Sequence, residues 1–154
     1  MKTKTIGLTL AISFLAGAAC FAADPQMGTW KLNEAKSKTT PGTLKYTTVT
    51  CKSTFGKVNV SSDGIDANGK PVHSDWTGKF DGKDYSVTGD PNSDARSYTR
   101  VNDRTLNLTV KKGGKVTVTG RVVVSADGKS RTVNVSGTTP KGKEFKNTAV
   151  YDKS

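Results

Sequence analysis

The chain predicts an all-β domain: a single antiparallel up-and-down β-barrel of about 8–10 strands, preceded by a signal peptide. Three observations lead there. Apolar and polar residues alternate with period two from Gly28 onward. Gly-containing turn pairs interrupt that alternation at short intervals, and no stretch carries a helical apolar stripe.

The leader comes first. Lys2 and Lys4 precede a run from Ile6 to Ala19 that is apolar or small throughout. It is shorter than the roughly 20 residues a bilayer span needs, as expected of a secretory signal. Cleavage after Ala22 puts Cys20 and Ala22 at the small-residue positions, giving residues 1–22 as signal peptide and 23–154 as the domain. A second use of Cys20 stays open. Gly17-Ala18-Ala19-Cys20 is similar to a bacterial lipobox, with Gly17 where that motif wants Leu. In either case Cys51 is left without a bridging partner. The expected location is the periplasm or outside the cell, with anchoring through Cys20 as the alternative.

The strands follow in order, near residues 27–33, 43–52, 56–62, 71–80, 83–89, 95–102, 104–111, 115–125, 130–138 and 143–152. Within each segment the apolar residues keep one parity: Leu106, Leu108 and Val110; Val116, Val118, Val122 and Val124; Val133 and Val135. Successive strand side chains point to opposite faces, so each segment has one apolar face and one Thr/Lys/Asn face. Asp63-Gly64, Asn68-Gly69, Asp81-Gly82, Gly113-Gly114, Asp127-Gly128 and Lys141-Gly142 read as the turns. Short connections make sequential strands neighbours. A one-sided meander buries its apolar face by curling on itself, which also removes exposed edges.

The ends of the domain carry a resemblance. Gly28-Thr29-Trp30-Lys31-Leu32 resembles the first strand of the calycin superfamily, where lipocalins have Gly-x-Trp and fatty-acid-binding proteins often have the same five residues. Thr148-Ala149-Val150-Tyr151-Asp152-Lys153 is similar to the closing strand of the fatty-acid-binding proteins. The resemblance implies a closed barrel with Trp30 plugging one end and Tyr151 facing the pocket. It also departs from those families. Residues 33–42 are too short and turn-rich for a helical lid, and Ala149 stands where the carboxylate-binding arginine is expected. Residues 143–154 hold no counterpart of the lipocalin C-terminal helix. The combination looks most like small secreted lipocalin-like proteins of bacteria.

Chemistry is sparse. His73 is the single histidine, and with Asp75 it lies on a polar strand face, so it reads as a solvated pair. The stretch Asp90-Pro91-Asn92-Ser93-Asp94 starts like a calcium loop but has Ala95 for the turn glycine and Val101 for the bidentate Glu. Three glycosylation sequons, at Asn59, Asn107 and Asn134, fall inside strands. With no catalytic constellation, metal spacing or cofactor motif, the reading is a non-enzyme without metal or cofactor. The net charge is +11, or +9 without Lys2 and Lys4, but the basic residues are scattered and not interleaved with aromatics. That pattern points away from nucleic acid and toward a solvated, lysine-rich surface, with weak contact with anionic envelope surfaces as the second reading.

Two functions remain. The first is a barrel that binds a small, partly apolar or anionic ligand, lined by Tyr46, Trp76, Phe80, Tyr85, Tyr98, Phe145 and Tyr151, with Arg100 as an anion anchor. The alternative is a filled barrel acting through its basic surface on envelope polymer, lipid or protein.

Overall fold

A computed structural model describes residues 22–154. The predicted leader and Cys20 lie outside the described residues. Ten strands form one closed antiparallel barrel in sequential order. They are β1 Gly28–Leu32, β2 Lys45–Thr54, β3 Lys57–Ile65, β4 Pro71–Gly78, β5 Tyr85–Thr88, β6 Ala95–Asn102, β7 Thr105–Lys112, β8 Lys115–Val124, β9 Ser130–Thr138 and β10 Glu144–Lys153. Residues 33–42, read as too short for a helical lid, contain one 3-10 turn, Glu34–Lys36, capped by the Asn33 side chain.

Closure rests on β1. Its Trp30 stands opposite Lys153 of β10 on one side and Val49 of β2 on the other. The strands alternate in direction, so one end of the barrel collects Gly28, the β2–β3 turn, residues 79–84, residues 103–104, residues 125–129 and Lys153. We call this the base. Residues 22–27 fold across it: Gln26, fully buried, donates to the Arg104 carbonyl at 3.0 Å, and Asp24 pairs with Arg100. The Trp30 side chain is 0% exposed and its indole N–H donates to the Gln26 carbonyl at 3.2 Å. The Lys153 ammonium and the Arg131 guanidinium lie against its ring, at 4.9 and 5.8 Å from the centroid. An early tryptophan is therefore held by both chain ends and the base segment.

Period-two alternation places Val60, Trp76, Val87, Tyr98, Leu106, Leu108, Val110, Val122, Val124 and Tyr151 in one interior core. A register shift between Tyr46 and Thr48 lets β2 turn Tyr46 inward as well as Val49 and Cys51. One predicted turn is corrected. Asp63 and Gly64 lie inside β3, opposite His73 and Val72. The chain reverses instead at Asp66–Lys70, where the Asp66 carboxylate accepts from the Asn68 and Lys70 amides at 2.8 and 2.9 Å. Gly64 is small for a different reason: a Cβ there would sit 2.1 Å from the Lys45 carbonyl oxygen, where β2 and β3 approach closely.

The wall is thinnest at β5. Only two residue pairs tie it to β4, and two tie it to β6. Side chains close this seam. Trp76 packs edge-on against Tyr85 and Tyr98, with centroids 5.7 and 4.9 Å away, and stacks with Phe80 at 6.2 Å. Gly78 makes room for the cluster, because a Cβ there would lie 2.5 Å from the Tyr85 ring and 2.6 Å from Trp76.

Trp30→Ala is expected to cost about 3–5 kcal/mol, the range for truncating a large buried aromatic. Chemical denaturation of the variant measures it; a loss below about 1 kcal/mol, typical of a surface substitution, is incompatible with the base-plug packing.

Candidate functional site

The barrel interior is more polar than a plain core. Arg96 of β6 and Arg131 of β9 are both buried, together with Ser62, Ser74, Ser97 and Asn147. Interior charges need partners, and the two arginines differ in what they find.

Arg96 has a carboxylate partner, although its Nε, like that of Arg131, has no hydrogen-bond partner. Its guanidinium donates to Asp90 at 3.2 Å, and the same carboxylate oxygen accepts from Tyr46 at 3.0 Å and from Ser93 at 2.7 Å. The Tyr46 hydroxyl in turn accepts from Ser74 at 3.1 Å. Burial alone would lower the Arg96 pKa; the adjacent Tyr98, Tyr46 and Asp90 outweigh it and hold the group above its ordinary value. Burial pushes the Tyr46 phenol up to about 12 despite Arg96 nearby, so it stays a neutral donor. The residues read as the start of a calcium loop are therefore used otherwise: Asp90 anchors Arg96, and Asp94 accepts from the Gly113 amide at 2.8 Å.

Arg131 has no such partner. It is 5% exposed, and no carboxylate among the described residues lies within 4 Å of it. It reaches from β9 to β2, where one guanidinium nitrogen donates to the Cys51 sulfur at 3.3 Å; its Nε has no hydrogen-bond partner. Trp30 lies beside it. Tyr151, its cross-strand neighbour, donates to the Tyr46 carbonyl at 3.0 Å, and burial raises its phenol to about 12.

The other predicted lining residues divide into three groups. Trp76, Phe80, Tyr85 and Tyr98 pack on one another and fill their side of the barrel. Arg100 lies at the base, paired with Asp24 and stacked over Phe80 at 5.0 Å, so its charge is already taken up. Phe145 lines an open groove of about 570 Å³ on β8–β10, beside Val116, Val118 and Gly137. A second open groove of about 450 Å³ passes Arg121, Asn134 and Lys146. Neither groove touches Arg131.

Sequence reasoning selects Arg100 and misses Arg96 and Arg131. The signal is present: Arg96 has the parity of Tyr98, and Arg131 that of Val133 and Val135. An arginine on an apolar parity is easily taken for a residue that bends to the rim, because its long stem allows it.

His73 lies on the outer face. Its ring nitrogens contact Asp63 at 2.6 Å and Asp75 at 2.9 Å, and all three side chains are largely solvated. The two carboxylates contact opposite ring nitrogens, an arrangement suited to clamping an imidazolium across β3 and β4. Among the described residues no group of three His, Cys, Asp or Glu side chains is placed to hold a metal ion.

No family model matches the chain, and no curated protein does. Among solved structures it is similar to a redesigned β-barrel, mFAP1, bound to DFHBI, at 17% identity and a TM-score of 0.46 over 84% of this chain and 95% of that one.

The His73 clamp has a signed consequence. Hydrogen bonds from its ring N–H groups to Asp63, then to Asp75, raise its pKa above 6.5 in the fold. Its contribution is fully present below pH 6.5 and is lost as pH rises through the raised folded value. The melting temperature of the wild type should fall relative to His73→Gln across that window; parallel curves would show that the clamp adds nothing.

Proposed function

We propose that this protein is a non-enzymatic, lipocalin-like barrel of the cell exterior or periplasm whose interior binds a small, partly apolar molecule bearing an anionic group. Arg131 carries the reading. A guanidinium held away from water without a counter-anion is costly, several kcal/mol by continuum reasoning. A thiol sulfur and an indole face offset only part of that. A carboxylate or phosphate would complete it, because the planar guanidinium fork takes such groups through two parallel hydrogen bonds. The free Nε of Arg131 is one arm of that fork. Trp30, Cys51 and Tyr151 surround the group with largely apolar surface, which suits a ligand with a short hydrocarbon part. Arg96 supplies a contrast: its Nε is also without a partner, but there the protein provides its own carboxylate, Asp90.

Retained ligand is sought by native mass spectrometry of protein purified from its own host, and binding of short aliphatic carboxylates by calorimetry. Arg131→Met keeps the stem and removes the charge. It should weaken binding by about tenfold or more, as expected when a charge-assisted pair is lost. It should not lower the melting temperature, because an uncompensated buried cation has been removed. A variant that unfolds readily and leaves carboxylate binding unchanged would make Arg131 a purely structural residue.

The location rests on the leader. The expected mature N-terminus is Ala23 with no lipid, read from the intact mass; a diacylglyceryl group on Cys20 would move the protein to a membrane surface by covalent anchoring.

A further inference from the structure

The β2–β3 turn is built against the usual preference. Thr54 and Lys57 pair directly, leaving a two-residue loop of Phe55 and Gly56. Both are left-handed, with φ of 48° and 74°. Such turns favour Asn-Gly or Asp-Gly, since short polar residues and glycine tolerate positive φ and a bulky aromatic does not. Phe55 is nonetheless the residue here, and its side chain is fully exposed. Neither backbone geometry nor packing within the barrel accounts for it.

Its surroundings do. Lys52 and Lys57 flank the turn, both exposed, and Lys79, Lys83 and Lys129 lie exposed at the same end of the barrel. None of these five lysines has a carboxylate within 4 Å among the described residues. Asp24 and Gln26 are joined to the base as well. Asp81, Asp84, Asp103 and Asp127 share this end, but the tip's own flanks are basic: an aromatic between the free Lys52 and Lys57 matches the interface of an anionic bilayer, where the ring enters the headgroup layer and the ammonium groups meet lipid phosphates. A second copy of the chain is a poor occupant, because each copy carries a formal charge of +11, or +9 without Lys2 and Lys4.

We infer that the base of the barrel is a membrane-docking surface, with Phe55 as the inserting side chain and Lys52 and Lys57 as its electrostatic support. This does not depend on the lumen reading, since none of these residues faces the interior.

The test is co-sedimentation of the protein purified from its host with vesicles of phosphatidylcholine alone or mixed with phosphatidylglycerol. Binding should require phosphatidylglycerol and weaken as salt is raised. Phe55→Asn should weaken it by about tenfold or more, the scale of losing one buried aromatic side chain. Because Asn suits the left-handed turn, the variant's melting temperature should equal or exceed that of the wild type. The double substitution Lys52→Gln, Lys57→Gln should weaken binding and flatten its salt dependence. Equal binding by wild type and Phe55→Asn, or no binding to either vesicle, overturns the inference. So does a wild-type dimer that Phe55→Asn converts to monomer, which would assign the tip to self-association.

Discussion

Everything in this fold depends on a five-residue strand pairing on both sides at once. β1 joins β10 to β2, and without it the meander would be an open sheet with two unpaired edges. So short a strand brings few backbone hydrogen bonds. Its hold comes from Trp30, which fills the base, bonds to the segment just before it and lies against Lys153 of the closing strand. The interior then has a floor. The buried polar groups above it are kept from water by the same residue that closes the ring.

Much of this was legible in the sequence, and the reasons are particular. Ten strands could be read because alternation survives along almost every segment, and because the turn glycines Gly69, Gly113, Gly114 and Gly128 adopt the positive φ that such pairs advertise. Asp63-Gly64 could not be read correctly. The same dipeptide serves a turn or a close approach of two backbones, and only the neighbouring strand decides which. The base segment was invisible for a related reason: Gln26 and Asp24 are fixed by Arg104 and Arg100, more than 70 residues away. The aromatic lining was legible as a set of inward residues, but their packing on one another was not, since that depends on the short β5 and on the space left by Gly78.

The two buried arginines show how similar sequence environments can come to differ. Both sit on apolar parity in a strand of the meander. A turn-rich loop beside one delivers Asp90 to its guanidinium, while a thiol and an indole lie beside the other. The first arrangement neutralises its charge within the chain and ties a loop to the wall. The second has no carboxylate beside it among the described residues, and burial makes that difference count.

The β4–β5–β6 wall holds together by a different force from the rest of the ring. Apart from the short β1, long hydrogen-bonded ladders run the length of the other strands; here four ladder pairs, the Asp81–Thr99 bridge and a cluster of four aromatic rings share the task. Apolar association weakens on cooling, because near room temperature it is driven by the entropy of water. The seam should therefore loosen toward low temperature while the ladders around it keep their strength. A protein assembled this way opens its ring at this wall in the cold before its long ladders part.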